Sequence, residues 1–267
     1  MVGIASFGGR AGFIGRIADD QFGQVFGHDI RAAGVTFTTP PAPAGGAPTA
    51  RCLVLVTPDG QRTMNTFLGV SPQLGAQEVD ERLLASARIV YLEGYLFDQP
   101  QAKAAFREAA SIAAKAGKQV ALSLSDPFCV DRHRNEFRSL IRTSVDILLA
   151  NEAEILSLYQ TASFDEAARQ VQRDTRLAAL TRSEKGSHIA FEGGSLAVAA
   201  APVASVVDTT GAGDLYAAGF LYGIATARGP RRAAELGSLA AGEVIGHIGA
   251  RPAVSLQQLA RASGLID

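Results

Sequence analysis

Short apolar runs alternate with longer amphipathic segments along most of this chain, and that alternation limits its fold more than any other feature. The candidate strands lie at residues 11–17, 89–92, 120–124, 145–149 and 177–181. Between them lie segments such as QPQAKAAFREAASIAAKAG, in which Ala105, Ala109 and Ile112 recur near the helical period and Gly117 supplies a stop signal. Repetition of strand, helix and strand predicts an α/β fold around a largely parallel sheet.

One segment interrupts this alternation. After TTPPAPAGGAP, the β-prone runs TARCLVLVT and QRTMNTFLG flank Pro58-Asp59-Gly60, which is a turn signal. We predict a β-hairpin inserted at about residues 36–69. It would act as a lid over the carboxyl ends of the strands, where open α/β sheets bind ligands, or else be a surface hairpin without function. A second hairpin is predicted around Gly193-Gly194, and the chain beyond Asp214 is predicted to be nearly all helical.

Composition and charge narrow the classes of protein and partner. With 267 residues, of which 47% are hydrophobic and 19% charged, the chain has enough apolar surface for a single domain over residues 1–267. A formal net charge of -1 and the absence of basic runs argue against nucleic acid or an anionic membrane as partner. Cys52 and Cys129 are far apart and form no C-x-x-C motif. We expect a cytoplasmic protein with small-molecule partners, and the sequence leaves its oligomeric state open.

The stretch VDTTGAGD, residues 207–214, precedes the apolar run LYAAGFLYGIATA. Gly211 and Gly213 remove side chains where a loop enters a helix, and the start of a helix presents unpaired N–H groups that attract anions. Asp214 would be favourable there simply as a partner of the helix dipole. A carboxylate beside a phosphate site can also accept the proton of an attacking hydroxyl, and the pattern therefore favours phosphoryl transfer to a small molecule.

Two other nucleotide motifs are absent. The chain has no G-x-x-x-x-G-K-[ST] sequence, which excludes a Walker-type phosphate loop. In TTGAGDLYAAG, Tyr216 stands where the third glycine of G-x-G-x-x-G would be, and a nicotinamide-dependent reductase is therefore disfavoured.

The motif DTTGAGD with its small-residue-rich helix resembles the carboxyl-terminal signature of the ribokinase/PfkB carbohydrate kinase family, which includes adenosine kinases. Other segments resemble that family in the same order along the chain: GRAGFIGRIADDQFGQVFGHDIRAAGV, TARCLVLVTPDGQRTMNTFLG, VDILLANEAEI and LAALTRSEKGS. The resemblance implies a ribokinase-like three-layer α/β/α domain with a largely parallel central sheet and a small β-hairpin lid. VALSLSDPF and YLEGYLF resemble adenosine kinases more than ribokinases. Family members begin with a further βαβ-sized segment that contacts the acceptor, and we expect this chain to lack it.

The resemblance also implies roles for individual residues. Asp214 would be the general base for a primary hydroxyl of the acceptor, and the backbone N–H groups of Gly211, Ala212 and Gly213 would form the anion hole. Arg62 matches a lid arginine that reaches the phosphates in adenosine kinases, a role that suits its planar permanent charge. The alternative for Arg62 is an exposed charge on a hairpin.

Two cation sites are implied by the same resemblance. Asp208 and Thr210, with a carbonyl from the turn at Gly249, would lie at a monovalent cation site for K⁺. Asn151 and Glu154 match an Asn-x-x-Glu pattern that organises Mg²⁺ through waters, which agrees with the few protein ligands that Mg²⁺ takes. The alternative for this pair is an N-cap and its capping-box partner at the start of a helix.

The nucleotide itself would contact two further segments. Thr181, Ser183 and Gly186 match a Thr-x-Gly-x-x-Gly nucleotide loop in which Ser183 replaces the first glycine. Ala241 and Val244 lie on the helix that lines the adenine pocket in the family, and an ordinary core stripe explains them equally well.

These features together predict an ATP-dependent kinase. It would transfer the γ-phosphoryl group of MgATP to a primary hydroxyl of a nucleoside, with adenosine as first choice, or of a sugar. A non-catalytic nucleotide- or nucleoside-binding protein of the same fold is the alternative.

Overall fold

The alternating pattern of the sequence forms ten strands and ten helices in the computed structural model, which describes residues 1–267. The strands are β1 (Ala11–Gly12), β2 (Val35–Thr36), β3 (Arg51–Val56), β4 (Arg62–Phe67), β5 (Ile89–Glu93), β6 (Gln119–Ser123), β7 (Ile147–Asn151), β8 (Leu177–Thr181), β9 (Ser187–Phe191) and β10 (Gly194–Val198). The helices are α1 (Val2–Ser6), α2 (Gln21–Ala32), α3 (Glu81–Ser86), α4 (Pro100–Lys115), α5 (Pro127–Ser144), α6 (Glu152–Tyr159), α7 (Phe164–Asp174), α8 (Ala212–Ala225), α9 (Gly229–Val244) and α10 (Leu256–Ala262).

Residues 75–199 form one of two compact units and contain a six-stranded sheet in the order β10-β9-β8-β7-β6-β5. Strands β5 to β8 are parallel, whereas β9 and β10 are antiparallel and form the second predicted hairpin. Neighbouring residues of β6 and β7, such as Ala121, Leu122, Ile147 and Leu148, are all fully buried. Since neighbours along a strand point to opposite faces, the sheet is covered on both faces, as parallel sheets are. The predicted largely parallel sheet is therefore confirmed.

The strand predictions differ in accuracy. β8 agrees with the predicted residues, β5 extends one residue further than predicted, and β6 begins and ends one residue earlier. β7 begins and ends two residues later than predicted, and just before it Asp146 bonds Val120 twice, through its backbone N–H at 2.9 Å and through its carboxylate at 2.9 Å. The strand predicted at residues 11–17 was wrong in length. Only the two residues of β1 form a ladder with β2, and beyond them single backbone hydrogen bonds join Phe13 to Thr36 and Ile17 to Ala42.

The other compact unit comprises residues 1–74 and 200–267, and it contains the first predicted hairpin. β3 and β4 pair antiparallel from Arg51 opposite Phe67 to Val56 opposite Arg62. Both strands are exposed on both faces, and their large apolar side chains include Leu53, Leu55 and Met64. The hairpin itself is confirmed, and its role as a lid stays a prediction.

The same unit contains the helices that end the chain. α8 is apolar on nearly all sides and packs against α9, as expected for a fully buried helix. Gly219 and Gly223 allow this close approach: a Cβ on Gly219 would lie 2.4 Å from the carbonyl oxygen of Leu236, and one on Gly223 would lie 2.5 Å from the Cα of Ala233. The approach fixes the start of α8 relative to the loop after α9. No helix of the protein is long and apolar enough to cross a membrane.

Candidate active site

The glycine loop, residues 207–214, leads into α8 through a left-handed turn. Gly211 is the N-cap of α8 with φ 83°, a conformation that favours glycine. A Cβ on Gly211 would lie 2.9 Å from Ala250, so a larger residue would collide with the loop after α9. By contrast, a Cβ on Gly213 would meet no atom within 4 Å. The space beside Gly213 is therefore open to an anion.

The backbone donors at this helix start are only partly used. The N–H of Ala212 is 3.4 Å from the carbonyl oxygen of Thr209, a long hydrogen bond. The N–H groups of Gly213 and Asp214 lie in the first turn, where no intrahelical acceptor exists. Together with the helix dipole, these groups make a site for a negatively charged ligand.

Asp214 is exposed at the same helix start. No hydrogen bond holds its carboxylate, and desolvation by the surrounding protein raises the pKa of Asp214 above its ordinary value. The positive charge of the amino terminus and, after it, that of Arg62 act in the opposite direction. A carboxylate that is unbonded, more basic than usual and still accessible is chemically suited to accept a proton.

Asp208 connects the glycine loop with the loop that follows α9. One carboxylate oxygen accepts a hydrogen bond from the N–H of Thr210 at 2.8 Å, and the other accepts one from the N–H of Gly249 at 2.9 Å. The Thr210 side chain and then the Gly249 N–H hold the pKa of Asp208 below its usual range. Asp208 is buried, and its two hydrogen bonds bring together the three residues predicted for a monovalent cation. In this structure both oxygens of Asp208 bind backbone donors, and K⁺ stays a prediction.

Arg62 lies at the start of β4 and contacts the glycine loop. Its Nη1 donates to Oγ1 of Thr209 at 2.7 Å, although the two residues are 147 positions apart. The turn of the hairpin lies beside the same threonine, because the carbonyl oxygen of Gly60 is 3.2 Å from Thr209 Oγ1. Arg62 is exposed, as the alternative interpretation has it, but its guanidinium is hydrogen-bonded to the glycine loop, and its role at the phosphates stays a prediction.

In the unit of residues 75–199, Asn151 and Glu154 form the capping box of α6. Asn151 Oδ1 accepts from the N–H of Glu154 at 2.9 Å, and Glu154 Oε2 accepts from the N–H of Asn151 at 2.9 Å. The alternative interpretation of this pair as a helix cap is thus realised. Asn151 is also exposed at the carboxyl end of β7, and a role of the pair at Mg²⁺ stays a prediction.

The charges around Glu154 favour a cation. Glu154 is only 4% exposed, and burial raises its pKa to about 7, with the carboxylates of Glu93 and Asp126 acting in the same direction. A positive charge nearby would relieve this repulsion. No group of three or more His, Cys, Asp or Glu side chains is arranged to ligate a metal directly. These residues therefore fit Mg²⁺ that retains its waters and not a metal caged by side chains.

The segment after β8 forms a short turn that contains two residues of positive φ. Thr181 ends β8, and the N–H of Arg182 donates to the carbonyl oxygen of Gly186 at 2.8 Å to close a short turn. Ser183 has φ 52° and Gly186 has φ 81°. Ser183 therefore adopts a left-handed conformation that a glycine would reach without strain, which costs on the order of 1 kcal/mol. The turn closes with Ser183 at this position, and its contact with a nucleotide stays a prediction.

The two residues predicted on α9 differ in exposure. Val244 is fully buried against Phe7, Leu215 and Leu236, whereas Ala241 is half-buried. Val244 is therefore a core residue, as the alternative interpretation has it, and no ligand can reach its side chain. Ala241 keeps an accessible surface.

Sequence reasoning missed three polar residues near these groups. Thr209 connects the hairpin with the glycine loop. The carboxylate of Glu243 accepts hydrogen bonds from the N–H groups of Ala253 and Val254 at 2.8 and 3.3 Å. Glu93 binds the hydroxyls of Tyr91 and Ser125 at the carboxyl end of β5. Thr209 was inside a recognised motif, but its partners lie far away in sequence, and Glu243 looks like an ordinary helix residue.

The start of α8 thus combines an anion site with an accessible candidate base, an arrangement that suits phosphoryl transfer. The sequence model of the pfkB family carbohydrate kinases matches residues 1–256, and this chain belongs to that family. The family prediction from the glycine loop is thereby confirmed.

Similar proteins agree on kinase chemistry. The structure of an adenosine kinase from Sinorhizobium meliloti superposes with a TM-score of 0.96 at 51% identity, covering 98% of this chain and 80% of that one. A probable sugar kinase from Rhizobium etli CFN 42 gives a TM-score of 0.97 at 48% identity, covering 99% and 80%. The ATP-dependent ribose-1-phosphate kinase of Halopiger xanaduensis is 29% identical over 94% of this chain and 79% of its own. The ribokinase-like α/β fold, with helices flanking a mostly parallel sheet, is confirmed.

Proposed function

We propose that this protein transfers the γ-phosphoryl group of MgATP to a primary hydroxyl of a nucleoside or sugar, with adenosine as the first acceptor to test. Membership in a kinase family supports phosphotransferase activity. The adenosine kinase at 51% identity supports the choice of adenosine, whereas the sugar kinase at 48% identity keeps sugars in the proposal. The family model extends across both compact units, which supports the prediction of a single kinase domain.

The observation that carries the proposal is the state of Asp214. Its carboxylate is accessible and unbonded, its pKa is raised, and it stands beside the free N–H groups at the start of α8. In the proposed reaction Asp214 accepts the proton of the acceptor hydroxyl. The N–H groups of the glycine loop stabilise negative charge on the phosphoryl group, and Arg62 adds a permanent positive charge.

The remaining residues would bind and orient the nucleotide. Kinases of this family use ATP and Mg²⁺. When bound, Mg²⁺ neutralises phosphate charge, and Asn151 and Glu154 would hold its waters. The short turn after β8 would contact ATP through Thr181, Ser183 and Gly186. The accessible surface of Ala241 would lie beside the adenine base. K⁺ at Asp208 and a cytoplasmic location stay predictions.

The test is ADP release from MgATP with adenosine, other nucleosides, ribose and fructose as acceptors. Asp214→Asn should lower turnover by at least about 100-fold, since general base catalysis supplies roughly 10² to 10⁴ of rate. It should leave ATP affinity, measured by calorimetry, within about two-fold, because the amide keeps the size of the carboxylate. Asp19→Asn, at an exposed residue, is the matched control.

Two results would contradict the proposal. Unchanged turnover of Asp214→Asn would remove Asp214 from the mechanism. ATP binding without acceptor-dependent ADP release for any acceptor would instead support the non-catalytic binding protein.

A further inference from the structure

The turn of the hairpin is attached to the glycine loop through one threonine. Thr209 Oγ1 accepts a hydrogen bond from Nη1 of Arg62 at 2.7 Å and donates one to the carbonyl oxygen of Gly60 at 3.2 Å. The N–H of Thr209 points to the same carbonyl at 3.3 Å. All three residues belong to the unit of residues 1–74 and 200–267. A single side chain therefore connects two segments that are distant in sequence.

The turn that carries the Gly60 carbonyl is itself well defined. Its N–H groups at Gly60 and Thr57 donate to the carbonyl oxygens of Thr57 and Gln61 at 2.9 and 2.8 Å. Gly60 has φ 76°, and a Cβ there would lie 3.0 Å from Cγ1 of Val206. The backbone of the turn thus approaches residues before the glycine loop closely, and the contact at Thr209 is not a chance meeting of two long side chains.

The chemistry of the contact selects a hydroxyl. A hydroxyl can accept a hydrogen bond from a guanidinium and donate one to a carbonyl at the same time, whereas a methyl group of equal size can do neither. Thr209 uses one of the five N–H donors of Arg62, and the other four make no hydrogen bond within the protein. An arginine already held in place loses less side-chain freedom when it binds an anion.

We infer that Thr209 is the positioning residue of Arg62: its hydroxyl holds the guanidinium beside the glycine loop so that both present donors to one polyphosphate. The inference rests on the proposed function, because it assigns Arg62 to phosphate binding. Thr209 itself acts through Arg62 and Gly60 and need not contact the phosphates.

The test compares Thr209→Val, which keeps the shape and removes the hydroxyl, with Thr209→Ser, which keeps the hydroxyl. Inorganic tripolyphosphate is the probe, and its affinity is measured by calorimetry on the full chain. Thr209→Val should weaken binding by about ten-fold, the value of one hydrogen bond to a charged group, and Thr209→Ser should restore it to within about two-fold. Thr66→Val, on the same hairpin but bonded only to Cys52, is the matched control.

A double-mutant cycle separates positioning from general structure. In an Arg62→Ala background, Thr209→Val should weaken tripolyphosphate binding by less than about two-fold, because nothing remains to be positioned. A full ten-fold loss in that background, or Thr209→Val binding like the unmodified protein, would overturn the inference. Failure of the unmodified protein to bind tripolyphosphate would also overturn it. Thr209→Ala, which adds no atoms, replaces the valine variant if that variant does not fold.

The readout distinguishes this inference from the proposed function. If no acceptor supports ADP release but the valine and serine variants still differ in tripolyphosphate affinity, the proposed reaction fails and the positioning role stands. If ADP release is robust and the two variants bind tripolyphosphate equally, the positioning role fails alone.

Discussion

The carboxylate of Asp208 binds the backbone N–H of Gly249 at 2.9 Å, which connects the loop before α8 to the loop after α9. The other carboxylate oxygen binds the N–H of Thr210, so one buried side chain orders both segments beside the candidate base. We expect Asp208→Asn to lower the free energy of unfolding by about 1–3 kcal/mol, because its amide group cannot accept from both donors. Urea denaturation measures the effect.

The pH dependence of the stability that Asp208 contributes allows a second test of the same variant. Because its pKa in the folded protein lies below the ordinary 3.8, the carboxylate stabilises the protein above that pH and the stabilisation is lost as pH falls through the lowered pKa. Asp208→Asn should remove this part of the acid transition. The exposed Asp19→Asn is the control, and equal stability of both variants would contradict the role of Asp208.

Substitution of Gly211 by alanine tests the close approach at the start of α8. Gly211 and Gly117 both have positive φ, 83° and 65°, but a Cβ on Gly117 would meet nothing within 4 Å. Both alanine variants should lose about 1 kcal/mol from backbone strain, and Gly211→Ala should lose more because of Ala250. The difference between the melting temperatures of the two alanine variants measures the effect of the contact with Ala250. Equal melting temperatures would show that the loop moves aside at no cost.

Gly213 offers the opposite combination of effects. It lies in α8 with open space around a Cβ, and alanine has a higher helix propensity than glycine by about 1 kcal/mol. Gly213→Ala should therefore keep or raise stability while weakening tripolyphosphate binding, because the methyl group fills the space beside the free N–H groups. Thermal unfolding measures the stability of Gly213→Ala, and calorimetry measures its affinity for tripolyphosphate. Unchanged binding would place the anion elsewhere.

The raised pKa of Glu154 predicts that stability changes with pH in the direction opposite to that expected from Asp208. Burial raises its pKa from 4.5 to about 7, so the folded protein binds the proton more tightly than the unfolded chain does. Stability from this group is present below pH 4.5 and is lost as pH rises to about 7. Glu154→Gln keeps the capping box, since glutamine also serves at this position, and it should be more stable than the unmodified protein at alkaline pH only.

Urea denaturation of Glu154→Gln across the pH range checks this prediction, with the exposed Glu108→Gln on α4 as control. A variant that is less stable than the unmodified protein at every pH would show that the charge of Glu154 is needed for the fold. If the Mg²⁺ proposal is right, the same variant should require more Mg²⁺ for half-maximal ADP release.

The raised pKa of Asp214 predicts how activity falls at low pH. A general base works only when ionised, and desolvation raises the pKa of Asp214 above 3.8. Activity measured as kcat/KM should therefore fall as pH drops, with a midpoint above 3.8. In Arg62→Ala the midpoint should move to higher pH, because the guanidinium favours the carboxylate. A midpoint that stays in place would show that Arg62 does not act on Asp214.

The elements of the fold were predictable where the signal is local. The apolar run that became β8 matched residue for residue, and the turn at Pro58-Asp59-Gly60 formed where the sequence placed it. The strand expected at residues 11–17 was too long because a strand needs a neighbour along its length, and β2 pairs with only Ala11 and Gly12. Periodicity describes one segment at a time and carries no information about what lies beside it.

By itself, the sequence determined the α/β class, the hairpin, the glycine-lined start of α8 and the family to which the chain belongs, because periodicity, turn chemistry and helix capping act over a few residues. Only the tertiary structure decided that Arg62 meets Thr209, that Asp208 meets Gly249, and that Val244 is buried in the core while Asp214 stays accessible. Contacts between distant segments and the pKa values that follow from burial depend on how the whole chain packs.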